Sequence, residues 1–561
     1  MTDATRNLLE QHFHTAFAAP DGVAKLRELI LTLAMQGKLV EQDPNDPPAS
    51  KLLKEIEAEK QRLVKAGKIK KPKPLPEVSD EEVTHEIPAS WAWVRFGDIA
   101  QHNSGKTLDK GRNTGEPRDY ITTSNLYWGR FELDNVRQML IRDDELEKCT
   151  ARRNDLLICE GGEAGRAAVW HFDSEVCFQN HVHRARFYRD IDPYFAYRFF
   201  EKLNATGEIN QHRKGVGISN MSSKALASIL FPLPPLPEQD RIVARIDQLM
   251  ARCDALEKLR KEREEKRLAV HATAIKRLLD APDGSACEFI QQHFGELYTV
   301  KENVAELRKA ILQLAVMGRL VPQSPSDPPA SELLKEIETE KQRLVKVGKI
   351  KQPKPLPPIK PEEVPYELPQ GWEWVIFGDI AAIERGGSPR PIKAFLTDDP
   401  EGLNWIKIGD TDQGGKYITS TKEKIRPEGL TKTRMVYPGD FLLTNSMSFG
   451  RPYITQIEGC IHDGWLRISP PDSVDKDYLY NLLSSSFIRR MFEAAAAGAV
   501  VLNLNSDKVR ELPIPLPPLP EQHRIVARID QLMALCDTLD QQIDAATGKQ
   551  TELLDALMAQ V

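Results

Sequence analysis

Long apolar runs are missing from the 561-residue sequence, and so is a secretory leader. No stretch of eighteen apolar residues occurs, and the start MTDATRNLLEQHFHTAF has neither a basic region followed by an apolar one nor a cleavage site. The seven cysteines form no C-x-x-C pair, which fits reduced thiols better than a disulfide framework or a zinc site. These absences predict a cytoplasmic protein that contacts no membrane and holds no metal.

Motifs of catalytic sites are equally scarce. Ser104-Gly105-Lys106-Thr107 resembles the end of a phosphate-binding loop, but Ala100 occupies the position of the required first glycine. Asp46-Pro47-Pro48 and Asp327-Pro328-Pro329 are each followed by alanine, where amino-methyltransferases carry a base-stacking aromatic. A turn before a helix is the simpler interpretation of both. We therefore predict no catalytic or cofactor-binding residues on this chain.

The overall composition is that of a folded protein with an acidic balance. Charged residues make up 28% and hydrophobic residues 41% of the chain, as in ordinary globular domains. The net charge is 76 minus 82, or −6, which argues mildly against a nucleic-acid partner if the chain is treated as one object. The 39 prolines exceed the ~5% that is typical.

The sequence contains the same unit twice. The 51 residues from Leu26 match those from Leu307 at 38 positions without a gap. The 28 residues from Phe231 match those from Ile514 at 22 positions. The offsets of 281 and 283 residues are each about half of the chain, so a tandem duplication fills its whole length. We call these repeated blocks the frame.

Two diverged inserts, residues 101–230 and 382–513, separate the blocks of the frame. They share little sequence beyond a skeleton, such as Gly165-Arg166 in the first and Gly450-Arg451 in the second. Two inserts of one fold are therefore expected to carry different surfaces. Prolines mark the joints between insert and frame and predict extended, semi-rigid connections. These joints are residues 72–76, 232–237, 353–358 and 513–520.

A long helix is predicted at the end of each copy. Proline followed by glutamate at Pro237-Glu238 favours a helix start. Apolar residues of the second copy then follow at alternating spacings of four and three, which is a coiled-coil seam. The seam comprises Ile525, Ile529, Leu532, Cys536, Leu539, Ile543, Ala546, Gln550, Leu553 and Leu557. A helix of about 40 residues would be roughly 60 Å long.

The first copy keeps this seam as far as Leu256 and interrupts it with arginines before Val270 and Ala274 restore it. The simplest partner for each stripe is the other copy, packed antiparallel about a pseudo-twofold axis. Residues 279–287 join the first long helix to the next unit, and the matching joint in the second copy is the gap between Val561 and Met1. We therefore predict that the chain termini lie close together.

The repeated motifs resemble the DNA-specificity (S) subunit of Type I restriction-modification enzymes. They are P-x-x-W-x-W with F-G-D-I-A before each insert and P-L-P-P-L-P-E-Q-x-R-I-V-A-R-I-D-Q-L-M after it. The resemblance implies that the inserts are target-recognition domains, each reading one half of a bipartite DNA site. The frame helices would set the spacing and dock two methyltransferase (M) subunits.

The resemblance also implies the partners and the absence of catalysis. We expect double-stranded DNA, two M subunits and, through the M complex, restriction (R) subunits. S-adenosylmethionine, ATP and Mg are expected on those partner subunits and no cofactor on this chain. The fold class implied is α+β, with two globular α/β target-recognition domains joined by two long antiparallel helices in a pseudo-twofold, circularly closed tandem repeat.

Five segments are expected along the chain. They are an N-terminal frame of helices and a basic linker (1–90), target-recognition domain 1 (91–230), a central frame with the first spacer helix (231–371), target-recognition domain 2 (372–513) and a C-terminal spacer helix (514–561). Trp91, Trp93, Trp372 and Trp374 occupy identical places in both copies, so we interpret them as core residues and not as base-stacking groups.

Charge counted by region removes the argument against DNA. Residues 101–230 hold 19 basic and 18 acidic residues, and residues 382–513 hold 17 of each. For DNA contacts we predict basic residues after the repeated motif and around the Gly-Arg pairs: Lys106, Lys110, Arg112, Arg166, Arg213, Lys214, Arg385, Arg390, Lys393, Lys407 and Arg451. The basic segments before the inserts predict phosphate contacts at Lys68, Lys70, Lys71, Lys349 and Lys351.

Two other classes of function stay open at this point. A coiled-coil scaffold protein would show no selective retention of DNA. A self-sufficient DNA modification enzyme would need to bind S-adenosylmethionine on this chain alone. For any single basic residue, an exposed solubilising role or an internal ion pair is an equally good interpretation.

Overall fold

The computed structural model describes residues 3–107, 109, 111, 113–214, 219–280, 284–348, 355–412, 414–445, 449–496 and 504–560. The chain forms two compact units. Unit 1 comprises Met1–Arg263 together with Ala546–Val561, and unit 2 comprises Glu264–Ala545. Within the described ranges, no helix combines the length and the apolar character that a bilayer crossing needs.

Helices form the frame and flank the inserts. The first copy contains α1 (Asp3–Ala16), α2 (Gly22–Met35), α3 (Ala49–Lys65), α4 (Phe96–Ile99), α5 (Leu146–Cys149), α6 (Pro193–Ala205), α7 (Ser223–Ser228) and α8 (Leu236–Asp280). The second contains α9 (Ser285–Gln292), α10 (Phe294–Leu297), α11 (Lys301–Val316), α12 (Ala330–Lys346), α13 (Phe377–Ile380), α14 (Lys476–Ser484), α15 (Ser486–Ala496), α16 (Ser506–Arg510) and α17 (Leu519–Met558).

Short strands build the inserts. The first insert and its borders contain β1 (Ala92–Arg95), β2 (Ala100–Ser104), β3 (Glu116–Ile121), β4 (Leu126–Tyr127), β5 (Arg130–Phe131), β6 (Arg137–Ile141), β7 (Thr150–Ala151), β8 (Leu156–Cys159), β9 (Gly161–Gly162), β10 (Ala167–Val169), β11 (Val176–Phe178), β12 (Val182–Phe187), β13 (Ser219–Asn220) and β14 (Leu230–Leu233).

The second insert and its borders contain β15 (Glu373–Ile376), β16 (Ala382–Arg385), β17 (Leu396–Thr397), β18 (Leu403–Ile406), β19 (Tyr417–Ile418), β20 (Glu423–Ile425), β21 (Arg434–Val436), β22 (Phe441–Thr444), β23 (Pro452–Thr455), β24 (Gly459–Ile461), β25 (Trp465–Ser469) and β26 (Pro513–Leu516).

The two inserts share one sheet topology despite their divergent sequences. The first has sheets in the orders β10-β8-β12-β2 and β6-β3-β11-β7. The second repeats them as β19-β23-β22-β25-β16 and β17-β20-β18-β24-β21, with β19 and β17 added at the edges. In both, one parallel pair, β3 with β11 and β18 with β24, occupies the same place. The expectation of one fold in two inserts is confirmed.

Each insert has an apolar core between its two sheets. In β8, Leu157 and Cys159 face this core, whereas Leu156 and Ile158 face the helical side of the domain. In β22, Leu442 and Phe441 divide in the same way. Successive strand residues point to opposite faces, so these fully apolar strands are buried on both sides.

The long helices have the predicted length. α8 spans 45 residues and begins at Leu236, two residues before the predicted Glu238, and α17 spans 40 residues. Each helix is shared by both units: α8 passes from unit 1 into unit 2 after Arg263, and α17 returns to unit 1 at Ala546. The mixed α+β chain with two recognition domains and two long helices is confirmed.

Unit 1 is assembled from both ends of the chain. Leu554 and Leu557 of α17 share an apolar core with Phe17 and Leu29. In unit 2, the matching end of α8 supplies Ala274 and Ile275 to a core that contains α11. The expected circular closure of the repeat is therefore present in the packing of unit 1, although Met1 and Val561 themselves lie outside the described residues.

The apolar seam of each long helix packs against the helices of its own unit. In unit 1, Ile242, Ile246 and Cys253 share a core with Val23 and Ile30 of α2. In unit 2, Ile525, Ile529 and Cys536 share a core with residues of α11. The frame helices are thus a partner for the seam that the sequence did not suggest.

The predicted seam is wrong at Val270, whose side chain is 44% exposed. The buried position belongs to the next residue, His271, whose Nε2 lies 3.1 Å from the hydroxyl of Tyr298. The buried stripe continues at Ala274 and Ile275. Leu259 and Leu268, the leucines of the charged stretch, are exposed, so the apolar stripe is interrupted there and His271 takes the place predicted for Val270. In α17 the predicted Leu557 is buried, as is Leu554, whereas the predicted Ala546 is exposed.

Paired strands and a buried glutamine attach each insert to its long helix. The strand before the insert pairs antiparallel with the proline-rich strand after it, β1 with β14 and β15 with β26. Gln239 accepts a hydrogen bond from the amide of Asp192 and donates one to the carbonyl of Pro234, both at 2.9 Å. Gln522 does the same with Asp475 and Pro517 at 2.9 Å. The proline joints after the inserts therefore begin as extended strands, as predicted, whereas residues 353 and 354 of the joint before the second insert lie outside the described residues.

Candidate DNA interface

The strands of the first insert run between an end fixed to the frame and a free end. At the fixed end, just after β12, Arg189 pairs with Glu55 of α3 at 2.9 Å, and Asp192 is held by α8 as described above. At the other end Ser104 pairs with His183, and Cys159 pairs with Val182. The loops at this end meet because neighbouring strands are antiparallel. We call them the distal edge of unit 1, comprising segments 104–107, 159–166, 178–183, 213–214 and 219–221.

Backbone hydrogen bonds hold the distal edge of unit 1 together. Lys106 donates its amide to Phe178 at 2.9 Å, and Asn180 donates to the carbonyl of Lys106 at 3.0 Å. Glu160 donates to His181, and Met221 donates to Glu160, each at 2.8 Å. These long-range bonds fix the loop backbones independently of what their side chains do.

The second insert forms the same edge with the same backbone bonds. Gly386 donates its amide to Trp465 at 2.9 Å, and Asn445 donates to Gly464 at 3.0 Å. Leu504 donates to Asn445 at 3.0 Å, as Met221 does to Glu160. The distal edge of unit 2 comprises segments 385–390, 407–410, 444–451, 462–465 and 504–505.

Three basic residues predicted for the first insert lie on its distal edge but are bound to the protein itself. Lys106 forms an ion pair with Glu145. Arg166 donates to the carbonyl of Thr123 at 2.6 Å and pairs with Glu163 at 3.1 Å. Arg213 donates to the carbonyl of Ala164 at 2.7 Å and to Asn210 at 2.9 Å, and burial lowers the pKa of its guanidinium. They support the loops, and DNA contact by them stays a prediction.

Lys214 is the described residue among those predicted for the first insert whose side chain is exposed. Its backbone exchanges hydrogen bonds of 2.9 Å with Asn220, and its side chain is exposed. Lys110 and Arg112, also predicted for this insert, lie outside the described residues.

The predicted residues of the second insert are more exposed. Arg385 donates its Nε to the carbonyl of Asp463 at 3.2 Å, and the guanidinium of Arg390 lies 3.7 Å from the Asp463 carboxylate. The side chain of Arg390 is 83% exposed. The structure thus brings both arginines together around Asp463.

Two of the other three residues predicted for this insert, Lys407 and Arg451, also lie on the edge. Lys407 pairs with Glu423 at 2.7 Å. Arg451 is half-buried and donates its backbone amide to Thr444 Oγ1 at 2.9 Å. Lys393 is exposed in a single 3-10 turn that follows Pro391. No described contact joins Lys393 to the edge.

The basic segment before the first insert is exposed and anchored at its far end. Lys68, Lys70 and Lys71 follow the end of α3 and have exposed side chains. The guanidinium of Arg95 donates to the carbonyls of Pro76 and Glu77, both at 3.1 Å, and pairs with Glu82 at 2.7 Å. This pairing lowers the pKa of Glu82 to about 2. Lys349 and Lys351, predicted in the second copy, lie outside the described residues.

Sequence reasoning missed the aromatic residues beside the distal edge of unit 1. The guanidinium groups of Arg130 and Arg166 lie 4.7 and 5.3 Å from the ring centre of Tyr127. Trp128 donates its indole N–H to Glu163 at 2.7 Å. The run Leu126–Arg130, with a glycine at its turn, was the available signal for a hairpin that carries the half-buried Tyr127 and Trp128.

The first tryptophan of each repeated motif belongs to the core, as expected. Trp91 and Trp372 are buried, and Trp91 donates its indole N–H to the carboxylate of Glu238 at 2.9 Å. Asp46, from the motif set aside as a turn, pairs with Arg241 at 2.7 Å, and Asp327 pairs with Arg524 at the same distance. These residues fasten the frame to the long helices.

Comparison with known proteins identifies the family. A family model described as Type I restriction modification DNA specificity domain matches residues 88–265 and 369–546, more than half of the chain. The chain belongs to the Type I restriction-modification DNA specificity family. The resemblance drawn from the repeated motifs is confirmed.

Curated members of the specificity family match nearly end to end. The Type I restriction enzyme EcoAI specificity subunit of Escherichia coli is 34% identical over 573 residues, covering 96% of this chain and 93% of that protein. The EcoEI specificity subunit of Escherichia coli is 32% identical over 576 residues with the same coverage. The crystal structure of the HsdS subunit from Thermoanaerobacter tengcongensis aligns with a TM-score of 0.44 and 18% identity, covering 85% of this chain and 98% of that one.

Membership of the specificity family defines the part that this chain takes in a Type I system. It is the DNA specificity subunit, the non-catalytic part of the complex. The two matched segments each contain one insert, its attachment strands and the first part of a long helix.

Proposed function

We propose that each target-recognition domain reads one half of a bipartite double-stranded DNA site through its distal edge. The observation that carries this proposal is the pair of edges built on the same backbone bonds with different side chains. Glu160 and Asn445 take the same place in the bonding pattern, and so do Gln179 and His462. A common scaffold with exchanged side chains is suited to reading two unrelated sequences.

The frame would hold the two readers at one separation. Gln239 and Gln522 fasten both domains to the starts of long helices through identical bonds. The non-specific spacer between the half-sites is therefore expected to have one length, as in other readers of paired half-sites. We propose the boundaries 1–90, 91–230, 231–371, 372–513 and 514–561 for the segments of this assembly.

The duplicated frame would dock two identical M subunits. Arg27 of α2 binds Asp254 and Glu257 of α8 at 2.7 and 2.8 Å. Arg308 of α11 binds Asp537 and Asp540 of α17 at 2.8 and 2.9 Å. Two nearly identical surfaces suit two copies of one partner.

Catalysis in the complex would reside on the other subunits. S-adenosylmethionine would be bound by M, with ATP and Mg also on partner subunits and R joining through M. The assembly would work in the cytoplasm, where the chain meets the genome.

The predicted basic residues would supply the electrostatic part of DNA binding. Lys214, Arg385 and Arg390 are exposed on the distal edges, and Lys68, Lys70 and Lys71 lie before the first insert. Lysine serves best as a phosphate charge, whereas arginine can also grip guanine edges. Because the inserts are near neutral overall, no large net charge opposes these residues. At moderate salt each of them attracts phosphates within about 10 Å.

Mapping methylated adenines across the genome of cells with and without this subunit tests the proposed function. The expected result is a bipartite motif, with two defined halves and a spacer of one length, that vanishes without the subunit. A single continuous motif, or a motif that persists without this chain, would contradict it.

A further inference from the structure

We infer that Gln179, Asn180 and His181 read base edges for unit 1, and that the amides of Gln179 and Asn180 select an A·T pair in the major groove. This inference deepens the proposed function and rests on it. The three residues form the turn from β11 to β12 on the distal edge of unit 1. Gln179 and Asn180 carry no charge, so a search for basic residues passes over them.

The backbone of this turn is fixed. Gln179 donates its amide to Ile121 at 2.9 Å, and Asn180 donates to Lys106 at 3.0 Å. Val182 donates to the carbonyl of Gln179 at 2.9 Å, and Glu160 donates to that of His181 at 2.8 Å. A loop held from three sides positions its side chains before a ligand arrives, which lowers the entropy that binding must overcome.

The side chains of the turn are uncommitted. Gln179 and Asn180 are half-buried and His181 is exposed. None of the three side chains forms a hydrogen bond with the described part of the chain. The side chains of Lys106, Trp128 and Arg166 beside them all bind other residues of the protein. Each amide offers a donor and an acceptor side by side, the pattern that matches adenine N7 and N6.

The same turn in unit 2 shows what these positions do when they serve the fold. At an offset of 283 residues, His462 replaces Gln179 and Asp463 replaces Asn180. The ring nitrogens of His462 lie 3.2 Å from the amide of Ile408 and 2.7 Å from the amide of Gly464, and a neutral ring accepts a hydrogen bond from one of them. Asp463 accepts one from Ser388 at 2.6 Å, which lowers its pKa. Unit 1 keeps the turn without these bonds, so its side chains have no described internal role.

Open space lies next to the turn. Glu160, which binds the carbonyl of His181, is followed by Gly161 and Gly162. Among the described residues, a Cβ at either glycine would meet no atom within 4 Å. The φ of +75° at Gly162 requires glycine, but neither that reason nor crowding applies to Gly161. Glycine in a strand without an internal reason often marks the approach of a ligand.

Single variants Gln179→Ala and Asn180→Ala of the full-length chain, each co-expressed with its methyltransferase subunits, test the inference. The readout is the base preference at every position of the methylated motif. We expect discrimination at one position of one half-site to fall on the order of 5- to 150-fold, the range for loss of a bidentate base contact. Lys224→Ala, at an exposed site on α7 of the same domain, is the matched control and should leave the motif unchanged.

The variant Asn180→Asp separates misreading from misfolding. It keeps the size of the side chain but replaces the donor by an acceptor, so a preference for cytosine in place of adenine is expected at that position. A motif unchanged in all three variants would overturn the inference and leave the proposed function standing. Relaxation of both half-sites by one variant would also overturn it. If the wild-type chain directs no bipartite motif, the proposed function itself fails.

Discussion

His102 shows how one buried side chain sets the response of a recognition domain to acid. It lies in β2, and its two ring nitrogens have no hydrogen-bond partner among the described residues. Burial, aided by the nearby His183, lowers its pKa from 6.5 to about 4. The matching position in unit 2 is Ile383, which is also buried. The site therefore accommodates an apolar side chain in the same fold.

The folded state keeps His102 neutral, whereas the unfolded chain takes up a proton below pH 6.5. Stability from this group is therefore complete above pH 6.5 and is lost as the pH falls toward 4. Between pH 7 and pH 5 the loss amounts to about 2 kcal/mol. We predict that His102→Ile removes most of this loss. The loss is measured by urea unfolding at pH 7 and pH 5, with hydrogen-exchange protection of the β2 and β12 amides as the probe of this domain. An equal acid loss in variant and wild type would count against the assignment.

The basic residues show where sequence reasoning stops at the residue scale. Charge and position in the sequence predicted DNA contacts for Lys106, Arg166 and Arg213, which lie on the distal edge. They gave no information on Glu145 or on the Thr123 and Ala164 carbonyls that bind these side chains, because such partners are distant in sequence. Gln179 and Asn180 were not predicted, for the opposite reason, since unpartnered amide side chains leave no mark in composition.

At the scale of elements, the repeated motifs were predictable and the insert topology was not. Identity between the copies revealed the long helices and their junctions directly. The inserts share only a skeleton, and parallel pairs such as β3 with β11 join strands more than 50 residues apart. The phase of the α8 seam failed at Val270 because a charged stretch interrupts the apolar period there.

The two hydrogen bonds of Gln239, which we call the glutamine bridge, give a prediction for the junction of the first recognition domain with α8. Gln239→Ala leaves the amide of Asp192 and the carbonyl of Pro234 buried without their partner, which destabilises the junction by about 2 kcal/mol. Because the bridge orients the domain, methylation should also tolerate a spacer one base pair longer or shorter. Chemical denaturation and motif mapping measure the two effects. Gln248→Ala, at an exposed position of the same helix, should change neither, and an equal effect of both variants would refute the role of the bridge.

The basic segment after α3 gives a second prediction at this scale. Replacing Lys68, Lys70 and Lys71 by glutamine should flatten the salt dependence of DNA binding. Each lost phosphate contact lowers the slope of log K against log salt by about 0.9, so about 2.7 is expected for three. Binding of the M–S complex to its DNA at several salt concentrations measures the slope. The control Lys51→Gln/Lys54→Gln, at exposed sites on the same α3, should leave it unchanged. A triple variant with the wild-type slope would exclude phosphate contact here.

For the whole molecule, the packing of unit 1 closes the tandem repeat, because the two ends of the chain belong to the same unit. The end of α17 packs into the core of unit 1. The end of α8 packs into the matching place in unit 2. The cut should therefore be movable from one joint to the other. The permuted chain would begin at residue 284 and end at residue 280, with residues 279–287 duplicated as the linker between Val561 and Met1.

We expect this permutant to fold and to methylate the wild-type motif, because every core contact of both units is retained. Thermal unfolding and motif mapping of the permuted M–S complex provide the measurements. A permutant cut inside α2 serves as the control and should unfold at a lower temperature, because the cut divides a core helix. Failure of the first permutant to fold would show that closure is not what holds unit 1 together.

The central claim is that one duplicated frame carries two independent readers. Its most direct test replaces residues 382–513 with the second insert of another family member and maps methylated adenines across the genome. The account predicts a motif in which one half-site is new, while the other half-site and the spacer length are those of the wild type. Change or loss of specificity in both halves would contradict it.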